Sequence, residues 1–364
     1  MLRVCGVTFD HTTNYGSCFQ AYALQTAIEK IRVQGEGCSY QLVPMHKLKD
    51  YPKGDLLRSL LVKPFLMLHR TQFVPFEKRY MKFAPVSTLK ELPFLNEETD
   101  VFVCGSDVIW NPDFNSGVDA YYLDFARKYK FSYAASFGKA EIPEETFGKI
   151  GEMLRSFDAI SVRETTGREI AARCVDKPIR VVADPVLLLD RDEWDRLLPP
   201  LSGEDRYIFV YVTHLNDTIT RFIDELKKVT GLKVVQAING PKQGLRQGVL
   251  QVQKPEEWFR LLKGASFVIT NSFHATVFSV LYHKRFFTVV RGNKSASINV
   301  RMNDFLNVVG LEDRMFSTVP ERFDLGEINF QHADAVIGKM RQESIAFLQE
   351  NLEAAYTRKQ QAEG

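Results

Sequence analysis

Residues 258–303 contain neither aspartate nor glutamate, although 45 of the 364 residues in the chain are acidic. At that average frequency, a segment of this length would hold about six acidic residues. The segment instead carries Arg260, Lys263, His274, His283, Lys284, Arg285, Arg291, Lys294 and Arg301. It therefore predicts a local positive field suited to an anionic small molecule. The alternative is a solvated basic surface that arose by chance.

Cysteine is also scarce, with five residues in the chain and no C-x-x-C pair. Cys5 and Cys104 lie in apolar runs, where a reduced thiol behaves as a small hydrophobic group. An odd number of widely spaced cysteines argues against a disulfide framework and a zinc site. Because the chain also lacks a signal peptide and any apolar run of about 18 residues, we expect a cytoplasmic protein without a membrane span.

Neither sign of charge dominates, since 47 basic and 45 acidic residues give a formal net charge of +2. This balance argues against a nucleic-acid partner. The chain also lacks a P-loop, a nucleophile elbow, an H-E-x-x-H motif and a dinucleotide-binding glycine fingerprint after the first strand. Local residue spacing therefore predicts no metal and no cofactor.

Apolar strand-like runs alternate with segments of helical periodicity along most of the chain. The alternation breaks at 190–206, where prolines, glycine and charged residues gather, and restarts at 207. This order predicts an α/β protein with two Rossmann-like domains, in which parallel sheets face a central cleft. We predict an N-terminal domain at 1–190 with an insertion at about 50–95, a linker at 191–206, a C-terminal domain at 207–330, and a final helix and tail at 331–364.

The segment from Leu56 to Phe76 mixes leucine and phenylalanine with basic residues. It is compatible with an amphipathic helix pair that touches a membrane surface. The alternative is an insertion packed on its own domain. Pro64 and Pro75 divide the segment into short pieces, which favours packing.

A polar loop at 10–17 precedes the first predicted helix. His11 and Asn14 can hydrogen-bond a hydroxyl, and Gly16 permits a sharp turn. The start of the helix offers unpaired N–H groups to an anion. An ordinary N-cap loop explains the same pattern.

A second cluster follows the predicted strand at 101–104. Asp107 is placed to accept hydrogen bonds from sugar hydroxyls, and Trp110 is placed to stack on a sugar face. The alternative assigns Asp107 to a helix cap and Trp110 to the core.

Two further clusters carry cationic and acid–base groups. Arg163 ends a strand where a helix begins, and a guanidinium there can clamp a carboxylate or phosphate; a surface pairing with Glu164 is the alternative. His274 lies in the first turn after Asn271 and Ser272, and Ser272 can cap that helix. Imidazole titrates near neutral pH, so a histidine at such a turn suits general acid–base chemistry.

At these clusters the chain resembles the polysaccharide pyruvyl transferase family. Six stretches match in the family's order, at 14–25, 103–112, 133–138, 161–164, 183–188 and 270–278. They extend over roughly residues 4 to 310. Val108 stands where the family often has glutamine, and Ala275 where it often has glycine.

The resemblance implies a GT-B-like fold and transfer of pyruvate from phosphoenolpyruvate to a sugar, with ketal formation and release of phosphate. Phosphoenolpyruvate is then a co-substrate, and no cofactor is needed. His274 is the general acid, by its match and by its turn. Predicted donor-binding residues are Arg163, Asn271, Ser272, Arg291, Lys294 and Arg301. Predicted acceptor-side residues are His11, Asn14, Gly16, Asp107 and Trp110, with His11 or Asp107 as the base.

Two other functions stay open at this point. A GT-B glycosyltransferase would bind a nucleoside diphosphate and ignore phosphoenolpyruvate, although the acid-free segment offers no carboxylate to grip a ribose. A non-catalytic sugar-binding relative would bind an acceptor without releasing phosphate. If the acceptor is a lipid-linked repeat unit, the enzyme works at the inner face of the plasma membrane, with peripheral membrane contact.

Overall fold

A computed structural model describes residues 1–10, 14–50, 71–113, 118–197, 206–237, 253–290 and 296–363. Within these ranges the chain forms two α/β halves, each built on a five-stranded and mainly parallel sheet. The predicted fold class is therefore confirmed.

The first sheet has the strand order β2-β3-β1-β4-β5. Its strands are β1 (Leu2–Val7), β2 (Arg32–Val33), β3 (Glu36–Leu42), β4 (Val101–Cys104) and β5 (Tyr129–Ser132). All neighbours are parallel except β2, which pairs antiparallel with β3. A further parallel pair, β6 (Ile160–Val162) and β7 (Ile179–Val181), extends this sheet through bridges next to β5. Its helices are α1 (Tyr15–Lys30), α2 (Leu95–Glu98), α3 (Phe147–Arg155) and α4 (Thr165–Cys174).

The second sheet is parallel throughout, with the order β12-β11-β10-β8-β9. Its strands are β8 (Tyr207–Tyr211), β9 (Lys233–Ala237), β10 (Phe267–Thr270), β11 (Arg285–Val289) and β12 (Met315–Phe316). The remaining helices are α5 (Arg191–Leu197), α6 (Asp217–Thr230), α7 (Pro255–Gly264), α8 (Phe273–Leu281), α9 (Ala296–Val308) and α10 (Gln331–Glu363). Strand β10 is buried along its whole length between β8 and β11, as expected for a central strand covered on both faces.

An aromatic core joins the two halves. Tyr15 and Phe19 on α1 pack against Trp258 on α7, and the rings of Tyr15 and Trp258 stack with centroids 5.1 Å apart. The Tyr15 hydroxyl donates to the carbonyl oxygen of Gln253 at 2.9 Å. Trp194 on α5 enters the same cluster and is fully buried. The start of α1 is therefore fixed against the second half.

The last helix returns to the first half. Phe347, Leu348 and Leu352 on α10 are buried in the cluster that contains Leu2 and Val4 of β1. The predicted helix near the C-terminus is confirmed, and its packing places it beside the segment that follows β7.

The segment predicted as a linker begins with α5, so 191–197 is helical and partly core rather than irregular. The prolines that signalled the linker, Pro199 and Pro200, lie outside the described residues. In the predicted insertion, residues 71–80 are helical, and Phe73 and Phe76 are fully buried. This part packs on α1, as the packed-insertion alternative predicts. The rest of that segment, 51–70, lies outside the described ranges.

No helix in the described ranges combines the length and apolarity that crossing a membrane requires.

Candidate active site

Polar side chains from both halves meet where parallel strands end. Asp107 follows β4, Arg163 follows β6, Asp184 lies shortly after β7, and His274 lies at the start of α8 after β10. These four side chains are all buried and interact with one another. The sequence predicted three of them; Asp184 lies in a matched stretch but was not assigned to the site.

Asp184 is the centre of the cluster. Its Oδ2 accepts a hydrogen bond from Arg163 Nη1 at 2.8 Å and from Ser106 Oγ at 3.3 Å, and lies 3.4 Å from His274 Nε2. Its Oδ1 accepts from the backbone N–H of Val186 at 3.0 Å, which caps a short 3₁₀ helix. Burial by itself would raise the pKa of Asp184, but the positive groups of His274 and Arg163 outweigh it and hold that pKa well below its usual range.

His274 is held between the two halves. Its side chain is 6% exposed, with Nε2 directed to Asp184. Its ring also lies against α1, because a Cβ on Gly16 would overlap Nδ1 and Cγ of the imidazole. We find no hydrogen bond from a described residue to Nδ1. Ser272 occupies the N-cap position of α8, but its side chain makes no capping hydrogen bond within the described part of the chain.

Only part of the Arg163 guanidinium group has hydrogen-bond partners among the described residues. Besides Asp184, it contacts Glu164 through Nε at 3.4 Å, and its guanidinium lies 4.3 Å from the ring centroid of Phe273. Its Nη2 is buried and has no hydrogen-bond partner among the residues that the structure describes. Buried polar atoms are rarely left without a partner, so this nitrogen marks a position for a ligand acceptor atom.

A cavity of about 180 Å³ lies beside Arg163 and Asp184. The second half contributes Phe273 and Arg301 to its wall, and α10 contributes Met340. Residues from three separate parts of the chain therefore line the cavity.

Asp107 is a second buried carboxylate next to this cluster. It accepts from Ser17 Oγ at 2.6 Å and from the N–H of Val108 at 2.9 Å, and lies 3.9 Å from Arg301. Its φ of 63° is in the left-handed region, which aspartate tolerates better than most residues. Burial raises its pKa, but His274, Arg163 and Arg301 together lower it below its usual value. Asp107 is therefore ionised at neutral pH and is a weak proton acceptor.

The acid-free segment does not produce a purely positive site. Within the described residues, the carboxylates of Glu164, Asp184 and Asp304 line the cavity together with the two guanidinium groups, and Asp107 lies 3.9 Å from Arg301. Lys284 and Arg285 lie at the start of β11, at the opposite end of the sheet from His274. Lys263 pairs with Asp195 at 2.6 Å. The prediction of one local positive field is therefore wrong for Lys263, Lys284 and Arg285. The two ends of a strand lie at opposite edges of a sheet, so residues before β11 are far from those after β10. Arg291 and Lys294 lie outside the described residues.

Trp110 was predicted to bind the acceptor sugar, but it lies in the core. It is fully buried, it stacks on Tyr122 with ring centroids 5.5 Å apart, and its Nε1 donates to the carbonyl oxygen of Tyr121. The prediction that it stacks on a sugar is therefore wrong, and the core alternative is correct.

Asn271 and Asn14 have structural partners. The Asn271 amide accepts from the N–H of Thr213 at 2.7 Å and donates to the carbonyl of His214 at 2.8 Å, which ties the end of β10 to the loop after β8. Asn14 Oδ1 accepts from the N–H of Gly16 at 3.0 Å, as the N-cap alternative predicts. Both residues shape turns at the site. His11 lies outside the described residues.

Sequence reasoning missed the residues that support Asp184 from a distance. Ser344 on α10 accepts a hydrogen bond from the N–H of Ala183 at 2.8 Å, and Arg341 donates to the carbonyl of Leu187 at 2.6 Å. Gln20 on α1 is fully buried and accepts from the N–H of Ser106 at 3.4 Å. Gln20 lies in a matched stretch, whereas no local pattern connects Ala183 with Ser344.

Gly16→Ala is expected to lower activity by about 100-fold, since a misplacement of roughly 1 Å at a reacting group can cost that much. The added methyl group would overlap the His274 ring and displace it from Asp184. Steady-state turnover measures the effect. Gly338→Ala is the matched control, because a Cβ there meets nothing within 4 Å. Equal turnover in both variants would contradict the tight contact.

Asp184 should make stability depend on pH in acid. Because its pKa is lower in the folded protein than in the unfolded chain, its contribution is present above the unfolded value of about 3.9 and is lost as the pH falls through the folded value. We expect the free energy of unfolding to fall with pH below about 4 and to fall less steeply in Asp184→Asn. Urea unfolding across that range measures both slopes, and identical slopes would refute the assignment.

Among the described residues, no group of three or more His, Cys, Asp or Glu side chains is placed to hold a metal ion.

Two solved structures are similar to this chain over nearly its whole length. A candidate UDP-N-acetylglucosamine 2-epimerase from Listeria monocytogenes is 11% identical, with a TM-score of 0.52 over 97% of this chain and 89% of that one. MnaA from S. aureus, in a co-structure with UDP, is 11% identical, with a TM-score of 0.52 over 98% of this chain and 92% of that one. At this identity the likeness shows the fold, which is GT-B-like. No curated protein matches the chain significantly.

The family model for polysaccharide pyruvyl transferase matches residues 14–293. The matched region covers most of the chain and contains Asp107, Arg163, Asp184 and His274. The cluster thus falls within the part of the chain that defines the family. This protein belongs to the polysaccharide pyruvyl transferase family.

Proposed function

We propose that the protein transfers pyruvate from phosphoenolpyruvate to two hydroxyls of a sugar in a polysaccharide or its precursor. The observation that carries the proposal is the buried Asp184 carboxylate, which binds Arg163 and faces His274 beside a cavity. Membership of a transferase family supports the reaction class. If the sugar is lipid-linked, the reaction takes place at the inner face of the plasma membrane.

Arg163 and Arg301 suit the two anionic groups of phosphoenolpyruvate. Nη2 of Arg163, which has no hydrogen-bond partner among the described residues, offers a charge-assisted hydrogen bond to the carboxylate or the phosphate. Arg301 lines the same cavity. The nearby carboxylates of Asp107 and Asp184 would repel a donor that approached without these partners, so they restrict its orientation.

His274 supplies the proton. The imidazole protonates the methylene carbon of the donor, and the C2 carbon becomes electrophilic. The ionised Asp184 next to Nε2 stabilises the imidazolium and holds the ring in place.

The acceptor hydroxyls then complete the ketal. The first hydroxyl oxygen bonds to C2 and loses its proton, and the C2–O bond to phosphate breaks with its electron pair leaving on phosphate. The second hydroxyl bonds to the same carbon and loses its proton. By way of solvent, one of the two hydroxyl protons restores the acid form of His274 and the other goes to the departing phosphate. The products are the pyruvyl ketal and inorganic phosphate, so atoms and charge balance.

The test is phosphate release from phosphoenolpyruvate with a panel of p-nitrophenyl glycosides, with the ketal identified by mass spectrometry. We expect release that requires both substrates. Consumption of a UDP-sugar without phosphoenolpyruvate would favour the glycosyltransferase alternative. The observation behind this alternative is the UDP bound in the structure of MnaA. Sugar binding without phosphate release would favour a non-catalytic relative.

A further inference from the structure

We propose that His46, paired with Asp10, is the general base that removes the proton from the attacking acceptor hydroxyl. The proposal rests on the proposed function, because it assigns a residue to the acceptor half of that reaction. Neither residue belongs to the cluster around Asp184.

The two side chains form a close pair at the end of the first sheet. Asp10 follows β1 and is 4% exposed, and His46 lies in the turn after β3. His46 Nδ1 is 2.6 Å from Asp10 Oδ2, and the backbone N–H of His46 donates to Asp10 Oδ1 at 3.2 Å. A carboxylate this close favours a proton on Nδ1, which leaves Nε2 as the proton acceptor.

The Nε2 atom of His46 is not used by the fold. It is buried, and no described residue forms a hydrogen bond with it. A buried ring nitrogen without a partner marks a position for a polar atom of a ligand, and the Asp10 carboxylate 2.6 Å from the other ring nitrogen can stabilise a proton taken up there.

The pair lies at the same edge of the sheet as the donor cluster. Strand β1 lies between β3 and β4, and neighbouring strands are about 4.8 Å apart, so the ends of β3 and β4 are about 10 Å apart. Hydrogen bonds connect this edge: Gln20 donates to the carbonyl of Phe9 at 3.4 Å and accepts from the N–H of Ser106, whose hydroxyl donates to Asp184. His46 and Asp107 therefore follow strands on either side of β1, at the same edge of the sheet.

Asp107 is the competing base, and its environment is less favourable. Ser17 and Val108 already donate to its carboxylate, and three positive groups stabilise its charge. A carboxylate stabilised in this way binds a proton weakly, whereas Nε2 of His46 has no donor among the described residues. Asp107 is better suited to orienting a hydroxyl by accepting a hydrogen bond.

The proton of the attacking hydroxyl is transferred to His46. As the hydroxyl oxygen forms its bond to C2, its proton moves to Nε2 of His46, and the positive imidazolium is stabilised by Asp10. The proton then passes to solvent, so the same base is ready for the second hydroxyl.

The experiment compares His46→Gln and Asp10→Asn with wild type in phosphate release, using the glycoside that wild type accepts. We expect kcat to fall by about 10²–10⁴-fold in His46→Gln and by less in Asp10→Asn. Calorimetry should show an unchanged Kd for phosphoenolpyruvate. His283→Gln is the matched control, because His283 also pairs with an aspartate, Asp334 at 2.9 Å, and should leave kcat near wild type.

Near-wild-type kcat in His46→Gln overturns the proposal, and a loss confined to Asp107→Asn assigns the base to Asp107. An equal loss of phosphoenolpyruvate affinity also overturns it, since that indicates a general structural role. If circular dichroism shows that His46→Gln does not fold, Asp10→Asn decides by the same criteria. A wild type that releases no phosphate with any glycoside refutes the proposed function itself.

Discussion

Replacing His274 with glutamine is expected to lower the rate of phosphoenolpyruvate-dependent phosphate release by about 10²–10⁴-fold, the usual contribution of a positioned general acid. Glutamine approximates the length and hydrogen bonding of histidine but cannot protonate a carbon atom. The fold should be retained, because Asp184 keeps Arg163 and Ser106 as hydrogen-bond partners. The effect should therefore fall on kcat.

Steady-state kinetics and thermal unfolding of the same preparation separate these effects. His283→Gln again serves as the control, since its ring pairs with Asp334 away from the cavity. A His274→Gln variant that turns over at the wild-type rate would remove His274 from the chemistry.

Replacing Arg163 with methionine is expected to weaken both donor binding and the fold. Loss of one charge-assisted hydrogen bond, worth about 1.5–3 kcal/mol, raises the Kd for phosphoenolpyruvate about 10- to 150-fold. The change also leaves Asp184 and Glu164 buried without their cation. Breaking a buried ion pair from one side costs about 3–5 kcal/mol of folding stability.

Calorimetry with phosphoenolpyruvate and urea unfolding measure the two effects independently. The double variant Arg163→Met with Asp184→Asn removes both members of the pair, and it should recover part of the stability but none of the donor affinity. Unchanged affinity in Arg163→Met would mean that Arg163 is only a structural partner of Asp184.

The order of strands and helices could be predicted from the sequence because apolar residues recur with a clear spacing in each segment. Strands such as Phe267–Thr270 are short apolar runs, and the polar residues that follow them mark their ends. Arg163 and His274 could be placed at the site because each follows the carboxyl end of a strand in its own half, and such strand ends face the cleft between two domains. Strands β2 and β12 have two residues each, which is too short to show any periodicity in the sequence.

Other features depend on contacts between distant residues. Asp184 and His274 are 90 positions apart, and no local pattern shows that their side chains meet. Trp110 has the same sequence context whether it faces solvent or the core, and only the packing of Tyr122 and Phe137 decides between them. The support of Asp184 by Ser344 requires the last helix to cross back to the first half.

The aromatic stack of Tyr15 on Trp258 limits how this enzyme can move. Proteins of two lobes often admit substrates by swinging the lobes apart about a hinge. Here such a swing would separate buried rings and break the hydrogen bond from Tyr15 to Gln253, and it would also pull Gly16 away from His274. These contacts therefore hold the two lobes in one arrangement and keep the His274 imidazole next to Asp184.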